Sequence, residues 1–267
     1  MGLMIGGMKR WLRWNEPDLP PGCLARWLRK YLLWNNDWYG SHAIRYLPIV
    51  RLLRRIRSGT ALPVLEVGSA DRGITPFLGQ RVVALDLRFD RENLSRAEGL
   101  VLPVRGRIEH LPFPDASFDA VIAVDMFEHL PASVRDRALR EMARVARSSV
   151  VIAVPCGQRA MDMEKRLDRY HRKRFGLSNR WLVEHWEHGL PEETAFVREI
   201  RTAVPQGRLR VIGNAPLRLW YALEALDIAI PRNYVRRLLT GWIVNLGSRW
   251  DAKDPYRRIF VLEVTQP

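Results

Sequence analysis

Three segments of this 267-residue chain carry residue types spaced to hold a nucleotide-like ligand. The first, VLEVGSADRGITPFL, ends an apolar run at Glu66 to Gly68, continues with the small residues Ser69 and Ala70, and returns a glycine at Gly73. A turn lined by such residues lets backbone N–H groups approach a ligand closely. The second is Asp86 at the end of RVVALD, eighteen residues after Gly68. A carboxylate there can accept hydrogen bonds from both hydroxyls of a ribose. The third, IEHLPFPDASFDAVIAVDMFEHL, joins a turn rich in proline and aspartate to a buried run, and leaves it through Asp125, Glu128 and His129.

These residues need a scaffold that brings their ends together. From Leu62 to Val154 short apolar runs alternate with helical stretches, the pattern of a parallel sheet whose crossovers are helices. PVLEV, RVVALD, LVLPV, DAVIAV and SVVIAV read as the first five strands, ITPFLG as a short helix, and VRDRALREMARVA as an amphipathic one entered through Pro131 and Ser133. Residues from about 157 to 205 are polar and helical in tendency and read as an insertion. RLRVIG and RRIFVLEVT follow as strands six and seven, with two apolar helices, PLRLWYALEALDIAI and YVRRLLTGWIVNL, between them at about 216–247. The expected fold is α/β: a Rossmann-like, seven-stranded, mostly parallel sheet with helices on both faces and helical insertions over its carboxyl edge.

Residues 1–59 form a separate, basic and helical extension ahead of this domain at 60–267, with eleven cations, three acids and half of all the tryptophans. Within it Leu24, Trp27, Leu28, Tyr31 and Leu32 make a helical stripe, and a second helix is expected from about Ile44 to Arg57. Such a basic, Trp-rich stripe can lie on a membrane surface, although packing on its own domain is the commoner use.

Taken together, VLEVGS, Asp86 and the LPFPDASFDAV segment with its EHL turn resemble the class I S-adenosylmethionine-dependent methyltransferases. The likeness is to the branch typified by quinone-biosynthesis methyltransferases, and it covers roughly residues 60–155. The resemblance implies S-adenosylmethionine as cofactor and S-adenosylhomocysteine as product. It places Glu66, Gly68, Ser69, Ala70 and Gly73 around the methionine part, Asp86 on the ribose, Leu87 against the adenine, Arg107 and Ile108 at its border, and Asp125 by the sulfonium. Two features depart from the family pattern. Ala70 and Arg72 stand where loop glycines are usual, with Gly73 one place late, and Arg107 replaces an acid that would accept from the adenine amino group.

Methyl transfer from a sulfonium needs little beyond holding the acceptor atom in line at near-attack distance. A hydroxyl acceptor gains from a general base, and His129 in the EHL turn is the candidate. His171, His185 and His188 fall in the insertion, where a solvated polar helix face is the commoner role; His185 and His188 at i and i+3 could nonetheless meet one ligand. No metal site is expected, since no third ligand stands at a suitable spacing. Cys156 borders the acceptor side as a small buried thiol without a catalytic part.

Composition narrows the acceptor only a little. With 43 Lys and Arg against 29 Asp and Glu, the formal charge of +14 favours anionic partners, although nearly all the cations are Arg, which compositional bias alone would give. Trp181, Trp186, Trp220, Tyr221 and Trp242, with Arg218, Arg236 and Arg237, would suit a small-molecule or amphipathic acceptor such as a glycan or lipid-linked intermediate; they would equally serve as the core of added helices. Nucleic acid is disfavoured because no recognised RNA-binding module is present. A non-catalytic binding or scaffold subunit is the other alternative. Two distant cysteines, no signal-peptide pattern and no long apolar span predict a cytoplasmic protein, with peripheral membrane contact through the basic N-terminal region as its one route to a bilayer.

Overall fold

The computed structural model describes residues 40–56, 63–69, 73–90, 94, 99–229 and 252–264. The stripe at 24–32, the apolar helix expected at 234–246, Ala70 and Arg72 lie outside these residues. In chain order the elements are α1 (Gly40–Ile56), β1 (Val64–Val67), α2 (Thr75–Leu78), β2 (Val82–Asp86), β3 (Val101–Arg105) and β4 (Phe118–Val124). A 3-10 turn (Phe127–His129), α3 (Ala132–Val145), β5 (Ala146–Pro155), α4 (Gly157–Phe175), α5 (Arg180–His188) and α6 (Glu193–Ala203) follow. The chain closes with β6 (Arg208–Pro216), α7 (Leu217–Ala229) and β7 (Pro255–Glu263).

The strands form one seven-stranded sheet in the order β3-β2-β1-β4-β5-β7-β6. The first five are parallel, and β7 runs antiparallel between β5 and β6. Central β1 and β4 are buried along their whole length, so they read as unbroken apolar runs rather than as alternating ones. Alternation survives in where the side chains go. Ala120, Ile122 and Val124 of β4 join a core with α1, α2, α4 and α7, whereas Val121 and Ala123 join a second core with α3 and α6 on the opposite face. This is the expected Rossmann-like sheet with helices on both faces.

Helix α1 belongs to the first of these cores. Ile44, Ile49 and Leu53 are fully buried, and the side-chain amide of Asn214 in β6 donates to the Ile44 carbonyl at 3.0 Å. The expected helix from about Ile44 therefore begins four residues earlier. The region expected as an insertion after Cys156 comprises α4, α5 and α6, and the sixth strand continues to Pro216 before α7 begins.

Phe127 links the sheet's carboxyl edge to the second core. It has no exposed surface and stands edge-to-face on Phe196 of α6, with ring centroids 5.4 Å apart. Phe127→Ala is expected to lower stability by about 3–5 kcal/mol, the usual cost of emptying a buried aromatic site. Exposed Leu102→Ala should cost no more than about 0.5 kcal/mol. Urea denaturation of both variants checks this; equal losses would mean that the turn is not anchored as described.

Candidate functional site

The carboxyl ends of β1, β2, β4 and β5 present Gly68, Asp86, Asp125 and Cys156 along one edge of the sheet. The tips of β1 and β2 are tied to each other, since the Gly68 N–H donates to the Leu85 carbonyl at 2.8 Å. Gly68 has φ +73°, and a Cβ there would overlap the Met126 side chain. Only glycine meets both conditions comfortably.

Glu66 lies beneath the turn that follows. Its carboxylate accepts from the Ile74 N–H at 2.7 Å, and Gly73, at φ +49°, leaves exactly the space that the same carboxylate fills. Burial pushes the Glu66 carboxyl up to about 7, against the opposing pull of the Ile74 N–H, the Tyr46 hydroxyl and Arg45. Glu66 thus ties Gly73 and Ile74, at the entry to α2, to the end of β1. Ser69 differs: it is buried, and its Oγ has no hydrogen-bond partner. A buried hydroxyl without a partner is costly unless a ligand completes it.

At the tip of β2 the Asp86 carboxylate accepts from the Arg88 N–H at 3.3 Å. Leu87 beside it is 63% exposed, unusual for a leucine next to a buried strand and suited to a flat apolar ligand face. The Arg107 side chain points to solvent and donates to Glu109 at 2.7 Å, while Ile108 is buried among Leu65, Leu85 and Leu111. Of these two border residues, Ile108 therefore offers its backbone and not its side chain.

Asp125 lies just past β4 with φ +48°, a conformation that costs a non-glycine residue about 1–3 kcal/mol. It is held there by a fork–fork pair: Nε and Nη2 of Arg257 in β7 each reach one of its carboxylate oxygens at 2.5 Å. Arg45 of α1 adds a third contact at 2.9 Å. Burial opposes the charge on Asp125, but the two guanidinium groups outweigh it and hold the carboxyl below its ordinary range. Asn214 completes the arrangement by accepting from Arg257 at 3.4 Å.

Next to this clamp the fold assembles a second buried group. His185 of α5 is 7% exposed, and its Nδ1 lies 2.9 Å from Glu164 of α4. The Tyr256 hydroxyl donates to the same Glu164 oxygen at 2.6 Å, and the Tyr256 ring stacks on Trp220 at 3.7 Å. On its other side His185 Nε2 faces Glu128 at 3.9 Å, and the ring of His129 is 5.0 Å away between centroids. Burial and the nearby charge of Asp125 push the Glu128 carboxyl up to about 8. His185 moves the opposite way to the effect of its burial, since Glu164 stabilises the imidazolium and raises its pKa.

Two expectations need correction. His185 is not on a solvated face, because α5 turns it inward against α4 and the 3-10 turn. The expectation of no metal site rested on local spacing alone; in space Glu128 and His129 stand beside His185, so three ligand-type side chains meet there. His171 caps the end of α4 through the Leu177 carbonyl at 2.8 Å, and the side chain of His188 lies outside the described residues. Burial pushes the Cys156 thiol up to about 12, which keeps it neutral. Sequence reading missed Arg45, Arg257, Glu164 and Tyr256. Arg257 alone left a signal, a cation at an inward position of the apolar run YRRIFVLEV, which demands a buried acid.

Residues 65–154 match the family model of a methyltransferase domain. A curated protein of Encephalitozoon cuniculi (strain GB-M1), whose description as a methyltransferase is itself provisional, is 40% identical over 129 residues, 48% of this chain and 60% of that one. The chain thus spans less than two thirds of that relative's length. A SAM-dependent methyltransferase of Thermotoga maritima is similar in structure, with a TM-score of 0.50 at 11% identity over 91% of this chain and 96% of that one. Geranyl diphosphate C-methyltransferase from Streptomyces coelicolor A3(2), solved with Mg2+, geranyl diphosphate and S-adenosyl-L-homocysteine, gives 0.51 at 12% identity over 81% and 78%. The fold is that of the S-adenosylmethionine-dependent methyltransferases, and the expected cofactor is the one this domain uses.

The raised pKa of Glu66 has a consequence for stability. Its folded pKa of about 7 stands above the ordinary value of 4.5, so the native state binds more protons than the unfolded chain between those limits. Its contribution is fully present below pH 4.5 and declines as pH rises to 7, by roughly 3 kcal/mol at most. Glu66→Gln should remove that part of the decline, seen as a smaller stability difference between pH 5 and pH 8 in urea titrations of the ligand-free protein. An undiminished difference would show that Glu66 is charged when folded.

Proposed function

We propose that the protein is a methyltransferase that uses S-adenosylmethionine and acts on a small, amphipathic acceptor. The observation that carries this reading is the paired edge at the tips of β1 and β2: Gly68 bonded to Leu85, an unpartnered Ser69 hydroxyl, Asp86, and an exposed Leu87. These residues fit an adenosyl group with a polar tail. Asp86 would take the ribose hydroxyls, Leu87 one face of the adenine, and the Gly68–Ser69 turn the methionine part.

When bound, the cofactor supplies an electrophilic methyl group, which an acceptor lone pair takes as the carbon–sulfur bond breaks toward sulfur. The chain's own part is to position and to enclose. Asp125 is fully engaged by Arg257 and Arg45, so its role in this reading is to fix the end of β4 beside the sulfonium rather than to move a proton. His129, half-buried on the 3-10 turn, is the nearest candidate base for a hydroxyl acceptor.

The finer likeness to quinone-biosynthesis enzymes rests on the LPFPDASFDAV segment and belongs to this proposal only. Helices α4, α5 and α7 lie toward the same edge and would roof the acceptor, with Trp220 buried and Trp181 67% exposed. A scaffold without catalysis would keep the fold but lose the adenosyl site. An RNA methyltransferase would show binding that weakens steeply with salt.

Calorimetric titration with S-adenosylmethionine separates these readings. The wild-type chain should bind, and Asp86→Ala should weaken binding at least about tenfold, since it removes the acceptor of two ribose hydrogen bonds. An unchanged affinity would take Asp86 out of the ribose site. No heat at all from the wild-type chain would leave the scaffold reading.

A further inference from the structure

The buried group around Glu128 is more than an ion pair. Among the described residues, one oxygen of Glu128 and one ring nitrogen each of His129 and His185 lie within 4.8 Å of one another. Glu128 has no exposed surface, and among the described residues neither of its carboxylate oxygens has a hydrogen-bond partner beyond its own backbone N–H. A carboxylate left so deep and unpartnered is expensive unless something outside the chain completes it.

The charges nearby do not complete it. Arg257, the arginine whose charge acts on Glu128, is committed to Asp125, as is Arg45. Glu164 already has His185 Nδ1 and the Tyr256 hydroxyl. Two buried carboxyl groups, Glu128 and Glu164, thus share the single imidazole of His185, and Glu128 faces it from 3.9 Å.

The His185 imidazole is oriented as a ligand is. A metal-bound histidine commonly gives its other ring nitrogen to a carboxylate, which fixes the ring and the tautomer. His185 does so through Nδ1 to Glu164, leaving Nε2 toward Glu128, and His129 has Glu184 3.7 Å from its own Nδ1. Two imidazoles and one carboxylate are a ligand set of divalent transition ions, with positions left open for a further oxygen. Ligands about 2.1 Å from a tetrahedral ion stand about 3.4 Å apart, so binding would draw the three ligand atoms, now within 4.8 Å of one another and 3.9 Å apart for His185 and Glu128, together by up to about 1.4 Å.

We propose that Glu128, His129 and His185 form a binding site for a divalent transition ion, with Glu164 as the positioning residue behind His185. The 3-10 turn that supplies two of the ligands begins two residues after Asp125, so the ion would stand on the acceptor side of the edge. Its open positions would take an oxygen of the acceptor, which makes the acceptor a hydroxyl compound and His129 a ligand rather than a base when the ion is bound. That last step rests on the methyltransferase reading; the metal site itself does not.

Cobalt(II) titrated into the metal-free protein, followed by its visible d–d absorption and by calorimetry, is the test. The wild-type chain should bind one equivalent. Glu128→Gln and His185→Gln should each abolish the absorption, and Glu164→Gln should weaken binding about 10–100-fold while the band keeps its shape. Circular dichroism and S-adenosylmethionine binding on the same variants show whether each still folds. Should the wild-type chain bind no cobalt, or bind it equally well without Glu128 and His185, the site does not exist. Cobalt binding in a chain that binds no S-adenosylmethionine would keep the metal site and remove only the assignment of its acceptor.

Discussion

Asp125 sits in a left-handed backbone conformation at the end of the central strand, and the two arginines that grip its carboxylate come from opposite ends of the chain. Arg45 belongs to the helix that precedes the sheet and Arg257 to the antiparallel strand that finishes it. Most of what stands at the carboxyl edge depends on that clamp. It fixes where β4 stops, and hence where the next turn sets out toward α3. Because Arg257 is 1% exposed, removing either partner of this pair would strand a buried charge, so the arrangement is all-or-none rather than adjustable.

The same constraint divides the edge into two halves of different chemistry. On the β1–β2 side the contacts are mostly backbone, with one orphaned hydroxyl and an exposed leucine, which suits a ligand that is largely neutral and flat. On the β4–β5 side, carboxylates and imidazoles are crowded into the interior and roofed by α4 and α5. The two halves are separated by one aspartate that is already paired with two arginines.

How much of this could be read from residues alone follows from the range of the signals. The strands were legible because burial on both faces makes VLEV and FDAVIAV continuously apolar, and their ends located Gly68, Asp86 and Asp125 without reference to space. The helices of the region after Cys156 were legible as helices, but not in their facing. His185 reads as polar among Glu184 and Glu187 until α4 is laid against it. Glu164 and Tyr256 are 92 residues apart and meet only through the antiparallel closure of the sheet. Gly73 shows the converse limit: the sequence places it around the methionine part of a ligand, but does not show that the space it leaves is filled by Glu66. The match to a methyltransferase domain over 65–154 covers the first five strands.

The central claim is that an adenosyl ligand lodges across the tips of β1 and β2. Amide hydrogen exchange with and without S-adenosylhomocysteine tests it most directly, since it reports position as well as binding. The account predicts slowed exchange confined mainly to residues 66–69 and 85–88. Slowed exchange elsewhere, with those two tips unchanged, would contradict it.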